Sequence, residues 1–117
     1  MNHRDYIFLT KINSEIKMGM DFLKDITIND FLEDEQLKRA TCMTAINVGE
    51  LVKGLTEQTT SKYCDIPWKK IAGFRDIVAH KYEALKMDDV YEVVKQDYPF
   101  LLEQITIILD NEIDEKK

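Results

Sequence analysis

The sequence predicts an all-α fold, an antiparallel up-and-down four-helix bundle with short accessory helical turns. Apolar residues recur at steps of three and four residues along several long segments, which is the period of a helix with one buried face. No stretch alternates apolar and polar residues between two turn signals, as a half-buried strand would. Four principal helices joined by short connections pack most economically as an up-and-down bundle.

The length and composition indicate one globular domain. The chain has 117 residues, of which 44% are hydrophobic and 32% charged, with only four glycines and two prolines. A domain of this size buries roughly two-thirds of the surface that its unfolded chain exposes, so one self-sufficient core is expected. We expect a single domain over residues 1–117, with a frayed tail at about 111–117.

Two helices are predicted in the first half of the chain. Helix one runs from about Arg4 to Lys24, and Thr27 with Asp30 at capping-box-like spacing predicts a short helical connector. Helix two starts after Asp34, a favourable N-cap residue, and ends near Thr56. The apolar stripe of helix one consists of Leu9, Ile12, Ile16, Gly19 and Leu23.

Gly49 falls inside the second helix. Glycine there costs up to about 1 kcal/mol relative to alanine. Close contact with a neighbouring helix would offset that cost, and simple tolerance is the alternative.

The second half of the chain predicts two further helices. Residues 57–65 are polar and rich in Thr and Ser, and Pro67 then suits a first helical position. Helix three is predicted to carry Trp68 through Tyr82. Helix four starts near Met87, is interrupted or restarted at Pro99, and continues to about residue 113.

The charge argues against non-specific coating of nucleic acid. The net charge is −6, and such coating depends on many Lys and Arg residues that displace counterions from phosphates. One basic island exists between residues 65 and 82, where four cations and two carboxylates give +2, while the remaining residues carry −8. The candidate RNA contacts Lys69, Lys70 and Lys81 belong to this island.

Membrane insertion, secretion and metal binding are not indicated. Cys42 and Cys64 lack the spacing of a zinc or redox site, and the first residues are polar. No apolar run approaches the roughly 18 residues that a membrane span requires. The acidic runs resemble solvated faces, and no Gly-rich phosphate loop is present. We therefore expect a cytoplasmic protein without metal or cofactor.

The candidate site lies on helix three. At 100° per residue Arg75 falls on an apolar stripe, and a guanidinium there needs an anionic partner or a wet cleft. Asp76 and His80 are four residues apart, so the carboxylate could contact the imidazole, orient it and raise its pKa. The alternative is that Arg75 is an ordinary ion-paired residue and His80 an ordinary packing residue.

These residue types match the needs of metal-free RNA cleavage. That reaction needs a base for the 2′-hydroxyl, an acid for the leaving 5′-oxygen and positive charge for the transition state. One histidine cannot comfortably make both proton transfers, and His3 lies near the chain start. A second imidazole would more naturally come from His80 of a twofold-related chain, which predicts a homodimer with a shared cleft.

The motif also resembles a known family. Residues 75–82 read Arg-Asp-Ile-Val-Ala-His-Lys-Tyr, which resembles the R-x4-H-x-Y motif of HepT-like proteins in the HEPN superfamily. The stretch 66–74 resembles the family's sequence before the motif, and Gly49-Glu50 resembles its Gly-Glu pair. Asp76 stands where many relatives carry asparagine, which adds a negative charge near the scissile phosphate.

This resemblance implies a toxin of a toxin–antitoxin system that acts as a metal-independent endoribonuclease on tRNA or mRNA. Arg75 would bind the phosphate and His80 would act as general acid or base, supported by Asp76. An antitoxin resembling a minimal nucleotidyltransferase of the MntA type would transfer AMP to Tyr82. Arg75 and Tyr82 are seven residues apart, so in one continuous helix the attached phosphate could occupy the arginine. The alternative to modification is that Tyr82 caps the core and that its hydroxyl is hydrogen-bonded.

Two other functions are compatible with the sequence. The chain could be a catalytically silent HEPN module that docks or supports a nucleotidyltransferase. It could also be a helical dimer without a nucleic-acid role, which the acidic charge favours. The presence of both Arg75 and His80 favours the enzyme, because a scaffold requires neither.

Overall fold

The computed structural model describes residues 1–112, and these residues form helices and connections without any strand. The predicted fold class is therefore confirmed. The predicted frayed tail and the predicted end of helix four extend into residues 113–117, which lie outside the described residues. The helices are α1 (His3–Phe22), α2 (Ile28–Glu33), α3 (Glu35–Lys53), α4 (Glu57–Lys62), α5 (Trp68–His80), α6 (Met87–Glu92) and α7 (Tyr98–Asn111).

The four long helices pack with alternating direction. Helix α3 lies between α1 and α5, and α1 also packs against α7. The start of α1 meets the end of α3, since Arg4 donates to the carbonyl of Gly54, and Asn13 of α1 donates to Thr106 of α7. The fully buried residues of the core include Leu9, Ile12, Ile16, Phe31 and Ile105. Within residues 1–112, no helix has the length and apolarity needed to cross a membrane.

Both predicted N-caps in the first half are confirmed. The Thr27 hydroxyl accepts a hydrogen bond from the Asp30 amide at 3.2 Å, which starts the short helix α2. The Asp34 carboxylate accepts from the Leu37 amide at 2.9 Å and starts α3. Each side chain satisfies an amide that has no partner inside its helix.

Helix α4 occupies part of the polar stretch for which the sequence predicted no principal helix. Its start is fixed by Asp5, a fully buried carboxylate of α1 that accepts hydrogen bonds from the hydroxyls of Thr56 and Thr59 and from the Thr56 amide. Burial raises the pKa of Asp5, but these hydrogen bonds outweigh it and leave that pKa below its usual value. The short helix therefore depends on a contact across more than fifty residues.

Helix α5 ends earlier than predicted. The helix stops at His80, because Lys81 leaves helical geometry at φ −129° and ψ 31° and a 3₁₀ turn follows at Tyr82–Ala84. The prediction that helix three includes Tyr82 is therefore wrong. This difference matters, because it removes Tyr82 from the face that carries Arg75.

Pro99 is accommodated by a change of helix type. A π-helical turn at Val93–Asp97 joins α6 to α7, and Pro99 is the second residue of α7. A proline has no amide hydrogen, so a regular helix through this point would lose one hydrogen bond. The wider turn before Pro99 agrees with the prediction that helix four is interrupted and restarted there.

Helices α3 and α5 make a very close contact at Gly49. A β-carbon added to Gly49 would lie 2.1 Å from the β-carbon of Arg75, far inside van der Waals contact. The expected helix-to-helix contact at this glycine is thus confirmed. Gly49 allows the backbone of α3 to approach the base of the Arg75 side chain.

We predict that Gly49→Ala lowers the free energy of unfolding by about 1–3 kcal/mol, because the added methyl group must push α5 away. Gly73→Ala is the matched control, since no heavy atom lies within 4 Å of a β-carbon added at that position. This control should raise the free energy of unfolding by up to about 1 kcal/mol through helix propensity. Urea denaturation of both variants tests the pair, and equal effects would contradict the steric argument.

Candidate functional site

Arg75 makes ion pairs through both terminal nitrogens of its guanidinium. Nη2 lies 2.7 Å from Oε2 of Glu50 on α3, and Nη1 lies 3.1 Å from Oδ1 of Asp76. Nε is buried and has no hydrogen-bond partner within residues 1–112. The side chain is 20% exposed, so solvent reaches part of it. The anionic partner that the sequence required for Arg75 is thus mainly Glu50.

Asp76 does not contact His80 as expected. Its Oδ1 instead accepts from Nζ of Lys53 at 2.5 Å and from Arg75. The hydrogen bond from Lys53, followed by the one from Arg75, lowers the pKa of Asp76 against a smaller opposing effect of burial. Helix geometry permitted the contact with His80, but the charged amine of Lys53 on the neighbouring helix is the partner of Asp76 instead.

His80 is the last residue of α5 and its side chain is exposed. Its imidazole makes no hydrogen bond, ion pair or ring contact in the part of the chain that the structure describes. On a regular helix it lies about 40° around the axis from Asp76 and about 140° from Arg75. The imidazole and the guanidinium therefore border the two sides of Asp76.

Tyr82 lies away from the guanidinium of Arg75. Its hydroxyl donates to Oε1 of Glu35 at 3.3 Å, and the guanidinium of Arg39 lies 4.8 Å from the ring centroid. Glu35 and Glu50 are separated by about 22 Å along α3 at 1.5 Å per residue. The expectation that Arg75 and Tyr82 are superposed on one face is wrong, because the helix ends between them.

The environment of Tyr82 raises the pKa of its hydroxyl above the usual value. Burial is the main cause of a raised pKa, and the nearby negative charge of Glu35 adds to it. The alternative role that the sequence left open for Tyr82, a capped and hydrogen-bonded hydroxyl, is the arrangement observed in the unmodified chain.

An apolar groove runs beside the motif helix. Within residues 1–112, α5 and α7 share no extensive packed interface, and the groove beside them has a volume of about 810 Å³. Ile77 and Phe100 line the groove and are 48% and 55% exposed. His80 follows Ile77 by three residues, so it lies about 60° from the groove around α5.

The predicted RNA-contacting lysines are exposed. Lys69, Lys70 and Lys81 all have exposed side chains, and Lys70 lines the groove. Among residues 1–112, no group of three or more His, Cys, Asp and Glu side chains is arranged to hold a metal ion. Lys69 and Lys70 thus lie in α5 before the motif, whereas Lys81 lies inside the motif, just after the end of the helix.

Sequence reasoning missed the residues of α3 that complete this site. Glu50 was noted only in its Gly-Glu pair, and Lys53, Glu35 and Arg39 were given no role. Glu50 and Lys53 are three residues apart, so they share one face of α3. The sequence shows that spacing, but it does not show the register between α3 and α5. The register decides which residue of α5 Glu50 and Lys53 contact.

The chain is similar to proteins that are named as ribonucleases. The family model described as "Ribonuclease HepT-like" matches residues 12–108. A protein of Methanocaldococcus jannaschii named "Gamma-glutamylcyclotransferase and putative RNase MJ0434" is 36% identical over 95% of this chain and 50% of its own length. The chain thus spans half of that relative.

Two other relatives match over most of their own length. "Putative RNase TTE0752" of Caldanaerobacter subterraneus is 32% identical over 90% of this chain and 94% of its own. "Probable ribonuclease HepT" of Thermococcus cleftensis is 29% identical over 86% of this chain and 89% of its own length. No solved structure gives a significant match. The family model covers most of a chain with this helical fold and motif, and the chain therefore belongs to the HepT-like ribonuclease family.

Proposed function

We propose that this protein is the toxin of a toxin–antitoxin system and cleaves RNA without a metal ion. The observation that carries the proposal is that α5 bears a partly exposed guanidinium at Arg75 and, five residues later, an exposed imidazole at His80. The names of the relatives support ribonuclease chemistry. The proposed substrate is tRNA or mRNA.

In the proposed reaction Arg75 binds the scissile phosphate. The 2′-hydroxyl attacks the phosphorus, a base removes its proton, and the bond to the 5′-oxygen breaks as an acid protonates that oxygen. His80 is one of these two groups. The guanidinium stabilises the charge that develops on the phosphoryl oxygens in the transition state.

Binding of the phosphate requires an exchange of partners at Arg75. In the free protein Glu50 and Asp76 occupy both of its terminal nitrogens. Both carboxylates are about half exposed, so water can solvate them once they are displaced. A phosphate oxygen can then take a position at the guanidinium without leaving a buried, unpaired charge.

We predict that Arg75→Ala lowers the cleavage rate by about 10²-fold or more, the usual loss on removal of a transition-state donor. His80→Ala should lower it by about 10²–10⁴-fold, as expected for a general acid or base. His3→Ala is the matched control, since it removes the other histidine and should retain activity. The measurement is cleavage of tRNA and mRNA by purified protein in EDTA.

This mechanism would be contradicted if the Arg75→Ala and His80→Ala proteins cleave RNA at the same rate as the His3→Ala control. Tight association with a nucleotidyltransferase without any RNA loss would favour the alternative of a silent HEPN module. The absence of RNA affinity even at low salt would favour a helical dimer with no nucleic-acid role.

We further propose a homodimer in which two copies of His80 share one cleft. The described residues of one chain supply one exposed imidazole, that of His80, whereas the reaction needs both a base and an acid. The groove supports this arrangement, because large exposed apolar patches on soluble proteins usually mark interaction sites. A second copy that covers the groove at Ile77 and Phe100 would approach α5 on the side next to His80.

We predict that Ile77→Asp dissociates the dimer and lowers cleavage, because a charge enters an apolar interface. Ile107→Asp is the matched control, since Ile107 is 47% exposed and does not line the groove. Analytical ultracentrifugation measures the oligomeric state of both variants. Dissociation by both variants or by neither would contradict the groove as the interface.

A mixing experiment tests the shared cleft itself. Co-expression of the wild-type chain with an excess of the His80→Ala chain places most wild-type chains in mixed dimers. If one cleft uses both imidazoles, activity per wild-type chain should fall nearly to the level of the His80→Ala homodimer. Unchanged activity per wild-type chain would indicate independent sites.

The antitoxin in this proposal is a nucleotidyltransferase of the MntA type that transfers AMP from ATP to Tyr82. The exposed start of α3 and the turn after α5 make this residue accessible from solvent. Since Tyr82 is two residues from His80, an attached nucleotide would add bulk and negative charge where RNA must approach. Inhibition by this route requires no contact between AMP and Arg75 of the same chain.

We predict that Tyr82→Phe remains active on RNA but is neither modified nor neutralised by the antitoxin. Tyr91→Phe is the control, because the hydroxyl of Tyr91 is held by the carbonyl of Ile26 and lies outside the motif. Intact mass after co-expression with the antitoxin measures the AMP added to each variant. Equal modification of the Tyr82→Phe protein would assign the acceptor elsewhere.

A further inference from the structure

Four charged side chains form one cluster at the contact between α3 and α5. They are Glu50 and Lys53 of α3 and Arg75 and Asp76 of α5, and together they carry no net charge. The two helices contribute one cation and one carboxylate each. An incoming phosphate therefore meets a neutral cluster rather than a strongly positive one.

Two cations of this cluster share a single oxygen atom. Oδ1 of Asp76 accepts from Nζ of Lys53 at 2.5 Å and from Nη1 of Arg75 at 3.1 Å. The shorter of the two distances belongs to Lys53, so Lys53 is the closer partner of this carboxylate. Arg75 can give up its weaker hydrogen bond to Asp76 without leaving the carboxylate unpaired.

We infer that Lys53 is a positioning residue that holds Asp76 and thereby frees the guanidinium of Arg75 for an RNA phosphate. This role rests on the proposed ribonuclease function. Without Lys53, the cluster would carry a net negative charge where a phosphate must enter. Asp76 would then have Arg75 as its only cationic partner in the cluster and would compete with the phosphate for it.

The same argument explains how the site accommodates an acidic residue at position 76. The carboxylate of Asp76 adds a negative charge near the scissile phosphate in the proposed reaction, and that charge alone would oppose phosphate binding. Lys53 pairs with that carboxylate in the described chain, and the lowered pKa of Asp76 follows from this contact first and from Arg75 second. In this protein Lys53 and Asp76 form an ion pair without net charge, and the pair therefore has little effect on the charge of Arg75.

The test is a double-mutant cycle of Lys53→Met and Asp76→Asn. The probe is a fluorescein-labelled single-stranded RNA whose 2′-hydroxyls are replaced by fluorine, so that it binds without being cleaved. We expect Lys53→Met to weaken binding by up to about fivefold, the size of an exposed ion pair. The same substitution in an Asp76→Asn chain should change binding by less than about twofold, because the competing carboxylate is gone.

Two further variants make the result specific. Lys53→Arg should restore wild-type binding, since an arginine can also pair with Asp76. Lys17→Met removes one exposed positive charge from α1 and should leave binding unchanged. Thermal unfolding of every variant shows whether a change in binding follows from a loss of folded protein.

The outcomes separate this inference from the function on which it rests. If Lys53→Met weakens RNA binding equally in the wild-type chain and in the Asp76→Asn chain, Lys53 contacts RNA directly. That result would overturn the positioning role. No loss in either background would also overturn it. If the wild-type protein binds no RNA, the ribonuclease proposal fails and this inference fails with it.

Discussion

The close contact of α3 and α5 at Gly49 determines the geometry of the candidate site. Because the glycine has no side chain, the β-carbon of Arg75 can lie only 2.1 Å from the point that a β-carbon of residue 49 would occupy. The guanidinium then reaches Glu50, the residue next to the glycine, at 2.7 Å. Any larger residue at position 49 would separate the helices and move the guanidinium from its carboxylate. The Gly-Glu pair thus acts as a unit, in which one residue sets the distance and the other binds the cation.

The charges that meet beside this contact also bear on how an acidic protein could bind a phosphate in the proposed reaction. The chain as a whole has a net charge of −6, whereas the candidate site contains two cations and two carboxylates in alternating contact. Ion pairs between partly exposed groups contribute little to stability and exchange partners readily. The cluster can therefore remain neutral in the free protein and still offer Arg75 to an anion, at a small cost in free energy.

Most of the fold could be predicted from the sequence, because the signals that define each long helix lie within that helix or next to it. The apolar period of each long helix and the caps at Thr27 and Asp34 depend on neighbouring residues only. Helix α4 could not be predicted with equal certainty, since its start depends on Asp5 of α1. The early end of α5 was missed for a related reason. The residues up to Tyr82 fit a helical pattern, and no glycine or proline marks the stop at Lys81.

The site was predictable in its residue types but not in its pairings. The sequence indicated that Arg75 requires an anion, and a carboxylate from α3 provides it. It also indicated a contact between Asp76 and His80, which Lys53 replaces. A helical wheel orders the residues of one helix, but the register between two helices decides which charges meet.

The end of α5 has a consequence for how modification of Tyr82 can act. If the helix continued, AMP on Tyr82 would lie along the same face as Arg75 and could neutralise it directly. Because the chain turns at Lys81, the hydroxyl instead faces Glu35 at the start of α3, beside the guanidinium of Arg39. An added phosphate would be repelled by Glu35 and attracted by Arg39. The modified side chain would therefore move away from Glu35 and toward Arg39. Inhibition would then depend on blocking access to His80, the imidazole that ends the helix, and not on competition for the guanidinium.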